Sequence, residues 1–519
     1  MERAVFLKRI NQNYFLVWLV VLMSVCYLGF LASSIHDGIF YAGDQGIKSL
    51  EVKQITEGYG FKYLHTPQPQ WVKDIWKAGF CPLRIPSFYS SPNGFLIVFP
   101  PAFQIVSAFF YARLGTPGLY IIPMLCTLSL LCWFVFLLKR LSIKPAMIAL
   151  ALFILVFCTP LALYGVMFWE HLPAVFLLFA GLSVIVSPPG NVWAAVALGA
   201  VSGLAVFLRP EALMMNFLYA LAIGFLYLRE RRPGQVAFVA GLVLAVLLFF
   251  SFNYSEYGSI LGLHGRQVFE DKNPDTRIGF HHGIVNLWEN NRLSTKSFLY
   301  TLLLIPMLYW WRKIRQTADL RPALLAGIVI VFSLATPFLL PNDGIVQWGA
   351  RYFLVIIPVT LVALFLAEKQ WSLLQGRNVP VWLLVLIIAG TGYSFYHNTH
   401  GGGYKELRWR YNQRLTASYK LMDEKPGNVV VLSRHWMIND VAYLFEKNYF
   451  FAASGDDSLR RLLPLLKKNG VHQFIYVYDP RVPTMSKMLE DSTNSYLWAP
   501  EDKKPWTRQD YVSKLYAIQ

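Results

Sequence analysis

Long apolar segments recur along this chain, and their length limits its fold more than any other feature of the sequence. The first, about residues 14–34, has roughly 20 residues, which at about 1.5 Å per residue is enough to cross a bilayer core of about 30 Å. The apolar core of a signal peptide has only about 7–15 residues, so we expect this segment to remain as a transmembrane helix. Ten further segments predict spans at about residues 118–138, 145–163, 168–187, 191–208, 211–228, 235–253, 297–311, 322–340, 350–367 and 379–397.

The composition agrees with an α-helical polytopic membrane protein of about 11 transmembrane helices. Hydrophobic residues make up 55% of the chain and charged residues only 15%, which leaves too little polar surface for a soluble protein of 519 residues. The net charge of +17 could point to nucleic acid, but Lys and Arg cluster in short segments between the apolar ones. That pattern is typical of cytoplasmic loops, so membrane lipid, and not nucleic acid, is the expected partner.

The basic clusters also predict the orientation of the chain. Residues 95–112 are apolar but short and interrupted by Pro100-Pro101, so we expect an interfacial helix there and not a span. With that count the N-terminus and the basic loops lie in the cytoplasm, whereas the short outer loops near 164–167 and 341–349 carry no Lys or Arg. The outer side then holds the segments 36–94, 254–296 and 398–519.

The C-terminal segment has a different pattern from the rest of the chain. Alternating residue types predict strands at 428–432, 449–453 and 471–478 and helices at 438–446 and 458–468. We therefore expect a transmembrane domain over residues 1–397 and a small extracytoplasmic α/β domain over residues 398–519. The α/β segment contains neither a Gly-x-Gly-x-x-Gly motif nor a P-loop, so no nucleotide site is expected there.

Polar residues that could carry chemistry concentrate at the predicted outer ends of the spans. They are Asp37, Asp44 and Glu51 in the first outer segment, and Glu170, Arg209, His264, Arg266 and Arg351 at later span ends. A charge inside the bilayer costs about 2.5–3.5 kcal/mol, which favours a functional role for Glu170 and Arg351. Two alternatives stay open: Glu170 could simply pair with Arg209, and Arg209-Pro210-Glu211 could be an ordinary helix start.

Several features of the first part of the chain occur together in one known family. The first helix is followed at once by an acidic outer segment, then by Pro100-Pro101 and by a span ending in Lys139-Arg140. Residues 253–260, Asn-Tyr-Ser-Glu-Tyr-Gly-Ser-Ile, and 348–352, Trp-Gly-Ala-Arg-Tyr, are similar to its Asn…Phe-Gly-Ser-Pro-Leu and Trp-Gly-x-Arg-Tyr motifs. Over about residues 1–397 the chain resembles the GT-C superfamily of membrane glycosyltransferases, in the branch of protein O-mannosyltransferases and lipid A aminoarabinose transferase.

The resemblance implies a GT-C fold in a bacterial-type inner membrane and a polyprenyl-phosphate sugar as the donor. The sugar would pass, with inversion, to a hydroxyl group of a glycan, lipid or protein at the outer face. Phosphate is a good leaving group, so one carboxylate suffices as the base. Asp44 is predicted to be that base, but the family often has Asp-Glu where this chain has Asp44-Gln45, which makes Asp37 its rival.

The resemblance also implies cationic residues for the departing phosphate, because the Arg guanidinium matches phosphate oxygens. Arg351 and Arg266 are the first candidates, and His264 and Arg209 follow them. Glu170 would orient hydroxyl groups of the donor or acceptor. No Asp-x-Asp metal motif occurs and His281-His282 has no third ligand at metal spacing, so no cofactor is predicted, with a divalent cation left as an alternative.

Two other classes of protein fit parts of the sequence. A transporter or flippase of lipid-linked glycan would place charges near the bilayer midplane and often shows inverted repeats, whereas here the charges gather at span ends without an evident repeat. A non-catalytic subunit of an envelope polysaccharide assembly would use the outer α/β domain as a binding surface.

Overall fold

The computed structural model of the protein describes residues 2–35, 40–41, 43–84, 87–269, 319–339, 351–371, 381–401, 403–409, 427–478, 495–497 and 512–518. The chain forms two compact units. The first, which we call the helical unit, comprises Met1–Ser33 and Tyr120–Glu406; the second, the mixed unit, comprises Ser34–Leu119 and Leu407–Gln519. These limits differ from those expected from the sequence, because the first outer segment is grouped with the C-terminal α/β segment.

The described helices are numbered in chain order over both units. Those of the helical unit are α1 Glu2–Ala32, α5 Ile121–Arg140, α6 Pro145–Phe157, α7 Leu161–Gly165, α8 His171–Val186, α9 Val192–Leu208, α10 Ala212–Glu230, α11 Pro233–Tyr257, α12 Gly262–Phe269, α13 Arg321–Leu339, α14 Ile356–Trp371 and α15 Val381–Tyr396. The limit between the units falls within α16 Gly403–Trp409. The mixed unit contains α2 Gly43–Thr56, α3 Gln70–Ile75, α4 Ala102–Leu114 and α17 Gly455–Lys468.

Four helices of the described part are long and apolar enough to cross a membrane: Tyr14–Ala32, Thr116–Arg140, Ala212–Glu230 and Pro233–Tyr257. Shorter apolar helices lie at Ala102–Leu114, Pro145–Phe157, His171–Val186, Val192–Leu208 and Arg321–Thr336. The predicted span at 145–163 is divided into α6 and α7, because Pro160 has no N–H to continue the helix. The predicted span at 297–311 lies outside the described residues.

The helical unit has a buried centre and an apolar outer surface. Helix α8 is buried on almost all sides. Helices α1 and α11 instead expose large apolar side chains, among them Trp18, Leu22 and Leu247. An exposed apolar surface of this kind suits contact with lipid chains.

Glycines let α9 and α11 approach each other closely. A Cβ at Gly199 of α9 would lie 2.0 Å from the carbonyl oxygen of Phe238, and a Cβ at Gly241 of α11 would lie 2.1 Å from that of Val196. Both distances are shorter than any real contact, so the two backbones touch where side chains are missing. Small residues spaced in this way are typical of helix packing in membranes.

The mixed unit contains two sheets. The strands β1 Tyr63–Leu64, β2 Phe88–Ser91 and β3 Gly94–Ile97 form an antiparallel sheet in the order β1-β3-β2. A second sheet has the order β5-β4-β6-β8-β7, in which β4 is parallel to β5 and β6 and the other pairs are antiparallel. Its strands are β4 Val429–Leu432, β5 Tyr449–Ala452, β6 Gln473–Tyr478, β7 Ser495–Leu497 and β8 Val512–Ala517.

Three expectations for the mixed unit need correction. The interfacial helix expected over 95–112 begins only at Ala102, because residues 94–97 pair with β1 and β2 as strand β3. The segment 36–94 is not a plain loop, since it contains helix α2, whose apolar residues Ile47 and Val52 are buried. The helix expected at 438–446 is replaced by two short 3-10 turns, His435–Asn439 and Ala442–Leu444.

Candidate functional site

The helical unit contains an open cleft between α8, α10, α13 and the turn that precedes α14. One part of its lining is polar and consists of His171, Arg209, Glu211, Arg351 and Tyr352. The rest is apolar and consists of Ala174, Val175, Leu178, Ala212, Met215, Phe332, Leu354 and Val355. The cleft therefore joins a charged end to an apolar wall within one cavity.

Arg209 is the centre of the charged end. It follows the last residue of α9, and Glu211 immediately precedes α10, so the two lie in the turn between these helices. The Arg209 guanidinium donates to Glu170 Oε1 at 3.1 Å and to Glu211 Oε1 at 2.7 Å. The expected alternative for Glu170, an ion pair with Arg209, is thus present, and Arg209 is neutralised by two carboxylates.

Glu211 is a member of the cluster that sequence reasoning interpreted only as part of a helix start. Burial would raise its pKa, but the charges of Arg209, His264 and Arg351 outweigh burial and hold the pKa of Glu211 below its usual value. Glu211 therefore stays ionised at neutral pH. The Arg209-Pro210-Glu211 turn both starts α10 and supplies the carboxylate that orders the cluster.

Arg351 and Tyr352 form the opposite side of the charged end. Arg351 Nη2 donates to the Tyr352 hydroxyl at 2.8 Å, and its guanidinium carbon lies 4.8 Å from the centre of the Tyr352 ring. The guanidinium of Arg209 lies 5.6 Å from the same ring. Tyr352 therefore lies within cation–π distance of both guanidinium groups.

The two remaining donor-phosphate candidates differ in their positions. His264 Nε2 lies 4.0 Å from Glu211 Oε1, at the edge of the charged cluster. Arg266, two residues further along α12, is exposed and does not line the cleft. The structure thus brings Glu170, Arg209, His264 and Arg351 together and leaves Arg266 outside the cleft.

The proposed base belongs to the mixed unit. Asp44 is half-buried in the first turn of α2, so it is part of a helix and not of a loop. Asp37, its rival, lies outside the described residues. The amide of Tyr41 donates to Gln45 Oε1 at 3.0 Å, a side-chain cap that helps to fix where α2 begins.

Helix α2 also buries two charged side chains that the sequence did not mark as buried. Lys48 and Glu51 are 2% and 1% exposed. Lys48 follows Asp44 by four residues and Glu51 follows Lys48 by three, so all three lie on the same helical face. Gln104 Nε2 donates to Glu51 Oε2 at 3.0 Å, and Lys48 Nζ lies 4.5 Å from the ring centre of Phe99. Burial raises the pKa of Glu51 to about 8, although the Gln104 bond and the Lys48 charge oppose this shift.

Sequence reasoning missed the roles of Tyr352, Glu211, His171 and Lys48. The motif of residues 348–352 contains Tyr352, and Trp169-Glu170-His171 contains His171, so both stood beside named candidates. The spacing of Asp44, Lys48 and Glu51 could have indicated one helical face, had the segment been recognised as helical.

In the described part of the chain no group of three His, Cys, Asp or Glu side chains is close enough to hold a metal ion. The pair His281-His282 lies outside that part.

No protein-family model and no curated protein matches the chain by sequence. By structure it is similar to ArnT from Cupriavidus metallidurans bound to undecaprenyl phosphate, with a TM-score of 0.55, 12% identity, and coverage of 97% of this chain and 98% of that one. The same protein in the apo state gives a TM-score of 0.54 and 14% identity over 96% of this chain and 98% of that one. The chain therefore shares the fold of ArnT, and its long apolar helices are those of an integral membrane protein.

Proposed function

We propose that the protein is a glycosyltransferase that moves a sugar from a polyprenyl-phosphate donor to a hydroxyl group of a glycan, lipid or protein. The reaction would take place at the outer face of a bacterial-type inner membrane, with the N-terminus in the cytoplasm. The observation that carries the proposal is the cleft of the helical unit, which combines two Arg side chains with an apolar wall. A polyprenyl phosphate has the same division, a charged head and an apolar tail.

The likeness to ArnT supports the choice of ligand. That protein was crystallised with undecaprenyl phosphate, and it shares its fold with nearly the whole of this chain. A phosphate is also a ligand that guanidinium groups bind well, because the hydrogen bonds between them are charge-assisted.

Within the cleft we assign the donor phosphate to Arg351. Arg209 already bonds two carboxylates, so its charge is balanced within the protein. Arg351 lines the cleft and donates to the neutral Tyr352 hydroxyl, so its guanidinium lies where the charged head of a ligand in the cleft would be. We assign Glu170 and Glu211 to holding Arg209 in place, and His264 to the edge of the phosphate site.

Asp44 is the proposed base. It takes the proton of the acceptor hydroxyl while the acceptor oxygen forms a bond to the anomeric carbon of the sugar. The bond between that carbon and the phosphate oxygen breaks on the opposite side, and polyprenyl phosphate leaves with the electron pair. One carboxylate acting in one displacement inverts the anomeric configuration. Asp37 stays the alternative base.

The experiment is transfer of labelled sugar from a panel of polyprenyl-phosphate sugars by the purified full-length protein in lipid. Wild type should transfer at least one sugar, and Asp44→Asn should abolish transfer with donor binding intact. Arg351→Gln should weaken donor binding at least 10-fold, with partial recovery in Arg351→Lys. The control is Arg140→Gln, which removes an exposed guanidinium of the same unit.

Other outcomes would count against the proposal. Activity retained in Asp44→Asn but lost in Asp37→Asn would move the base to Asp37. Movement of the donor across the bilayer without turnover would favour the transporter, and absence of donor binding in wild type would favour a non-catalytic assembly subunit.

A further inference from the structure

Helix α2 is held at its start by a segment almost four hundred residues further along the chain. Gly43 and Gly46, one turn apart, both face that segment. A Cβ at Gly46 would lie 2.4 Å from the carbonyl oxygen of Asn439, and a Cβ at Gly43 would lie 2.6 Å from Asn439 Cβ. The helix therefore lies against the backbone of Asn439 so closely that no side chain fits between them.

The Asn439 segment is itself fixed in place. It ends the 3-10 turn His435–Asn439, which follows strand β4 of the larger sheet. Asn439 Nδ2 donates to Ser87 Oγ at 2.9 Å, so Asn439 is bonded to the same N-terminal part of the mixed unit that contains α2. Further along α2, Lys53 forms an ion pair with Glu446. Helix α2 is thus held by the C-terminal segment at both ends.

A carboxylate lies at the positive end of the helix. Asp440 Oδ1 is 3.0 Å from the position that a Cβ at Gly43 would take, beside the first turn of α2. The N-terminus of a helix carries a partial positive charge, and a carboxylate there stabilises the helix. Asp44 is the next residue of the same turn. Whatever fixes this turn also fixes the backbone from which the Asp44 carboxylate projects.

We infer that Asn439 and Asp440 are positioning residues for Asp44: they fix the start of α2 and thereby the direction of the proposed base. In this arrangement the C-terminal α/β segment acts as a support for the helix that bears the base. The inference rests on the proposed function, in which Asp44 takes the acceptor proton. A shift of about 1 Å in a reacting group can cost about 100-fold in rate, so a modest loosening of this turn would be measurable.

The experiment compares Asp440→Ala, Asp440→Asn and the control Asp457→Ala in the full-length protein in lipid. Asp457 is an exposed carboxylate in the first turn of α17, so its variant makes the same substitution at another helix start. Asp440→Ala should lower kcat at least 10-fold. Its KM for the lipid-linked sugar should stay within about twofold of wild type, and its melting temperature within a few degrees. Asp440→Asn keeps the shape of the side chain but removes the charge that favours the positive end of the helix, so it should recover only part of kcat.

Hydrogen exchange supplies a readout that does not need activity. The amides of residues 43–47 should exchange faster in Asp440→Ala than in wild type. In Asp457→Ala their exchange rates should be unchanged. Unchanged exchange, or faster exchange with an unchanged kcat, would overturn the inference. A fall in kcat that follows a fall in melting temperature would also overturn it, since the role would then be structural. Failure of the proposed function looks different, because wild type would not transfer sugar or Asp44→Asn would remain active.

Discussion

At the residue scale, the arrangement around Arg209 shows how a charged cluster can persist among membrane helices. Its guanidinium bonds one carboxylate from the start of α8 and another from the start of α10, and the side chain is only 16% exposed. Removing one member of a buried ion pair leaves its partner unpaired, which costs about 3–5 kcal/mol, whereas removing all members together can be neutral.

Arg209→Met should therefore lower the melting temperature strongly, because two carboxylates remain without their cation. The triple variant Arg209→Met, Glu170→Gln and Glu211→Gln should recover most of the loss. Arg140→Met is the matched control at an exposed guanidinium. If Arg209→Met melts like Arg140→Met, the pairing contributes nothing to stability.

Glu51 gives a pH dependence with a definite sign. Its pKa in the folded protein is about 8 and its ordinary value is 4.5, so folding favours the protonated form. The stability that depends on this proton is complete below pH 4.5 and is lost as the pH rises towards 8. Glu51→Gln cannot lose a proton, so its melting temperature relative to wild type should rise between pH 4.5 and 8. Glu57→Gln, at an exposed carboxylate of the mixed unit, should show no such trend; a flat difference for Glu51→Gln would contradict the burial argument.

Some of these residues can be predicted from the sequence and others cannot. Charges at the ends of apolar segments stand out, which is why Glu170, Arg209 and Arg351 could be named before the fold was known. The burial of Lys48 and Glu51 could not be predicted, because their helix lies in a polar stretch and is covered by residues from other parts of the mixed unit.

At the element scale, apolar length predicted the helices well and failed where other interactions decide. The chain after Pro100-Pro101 is helical as expected, but residues 94–97 form a strand because β1 and β2 supply its backbone partners. Apolar residues over 438–446 fitted a helical period, yet Met437 and Ile438 are buried in a short turn. Local periodicity does not reveal which partner a segment will meet.

The close packing of α9 and α11 is a feature of this scale that can be tested. Gly199→Ala would bring a Cβ to 2.0 Å from the Phe238 carbonyl oxygen, so the helices must separate and the melting temperature should fall. Gly224→Ala in α10 is the matched control, because nothing lies within 4 Å of a Cβ there. That variant should be neutral or slightly stabilising, since Ala favours a helix by about 1 kcal/mol over Gly. Equal melting temperatures for the two variants would contradict the packing.

At the scale of the whole molecule, the grouping of segments is what sequence reasoning could least foresee. Strands β4, β5 and β6 of the C-terminal segment were predicted, but β7 and β8 were not, nor was the grouping of this segment with residues 34–119. Trp76 Nε1 donates to the carbonyl oxygen of Phe450 at 2.8 Å, and Gln68 Nε2 donates to that of Phe445 at 3.0 Å. Such bonds between distant segments leave no periodic trace in the sequence.

In the proposed function the cleft of the helical unit binds the phosphate head and the start of the tail of a polyprenyl phosphate. The most direct test is photo-crosslinking of the protein in lipid with an undecaprenyl phosphate that carries a photoreactive group near its phosphate, followed by peptide mapping. Crosslinks are expected at residues 171–178, 209–215 and 351–355. Unlabelled undecaprenyl phosphate should compete with them, and Arg351→Gln but not Arg140→Gln should reduce them. Crosslinks that avoid these segments, or that neither competitor nor Arg351→Gln affects, would contradict the proposed binding.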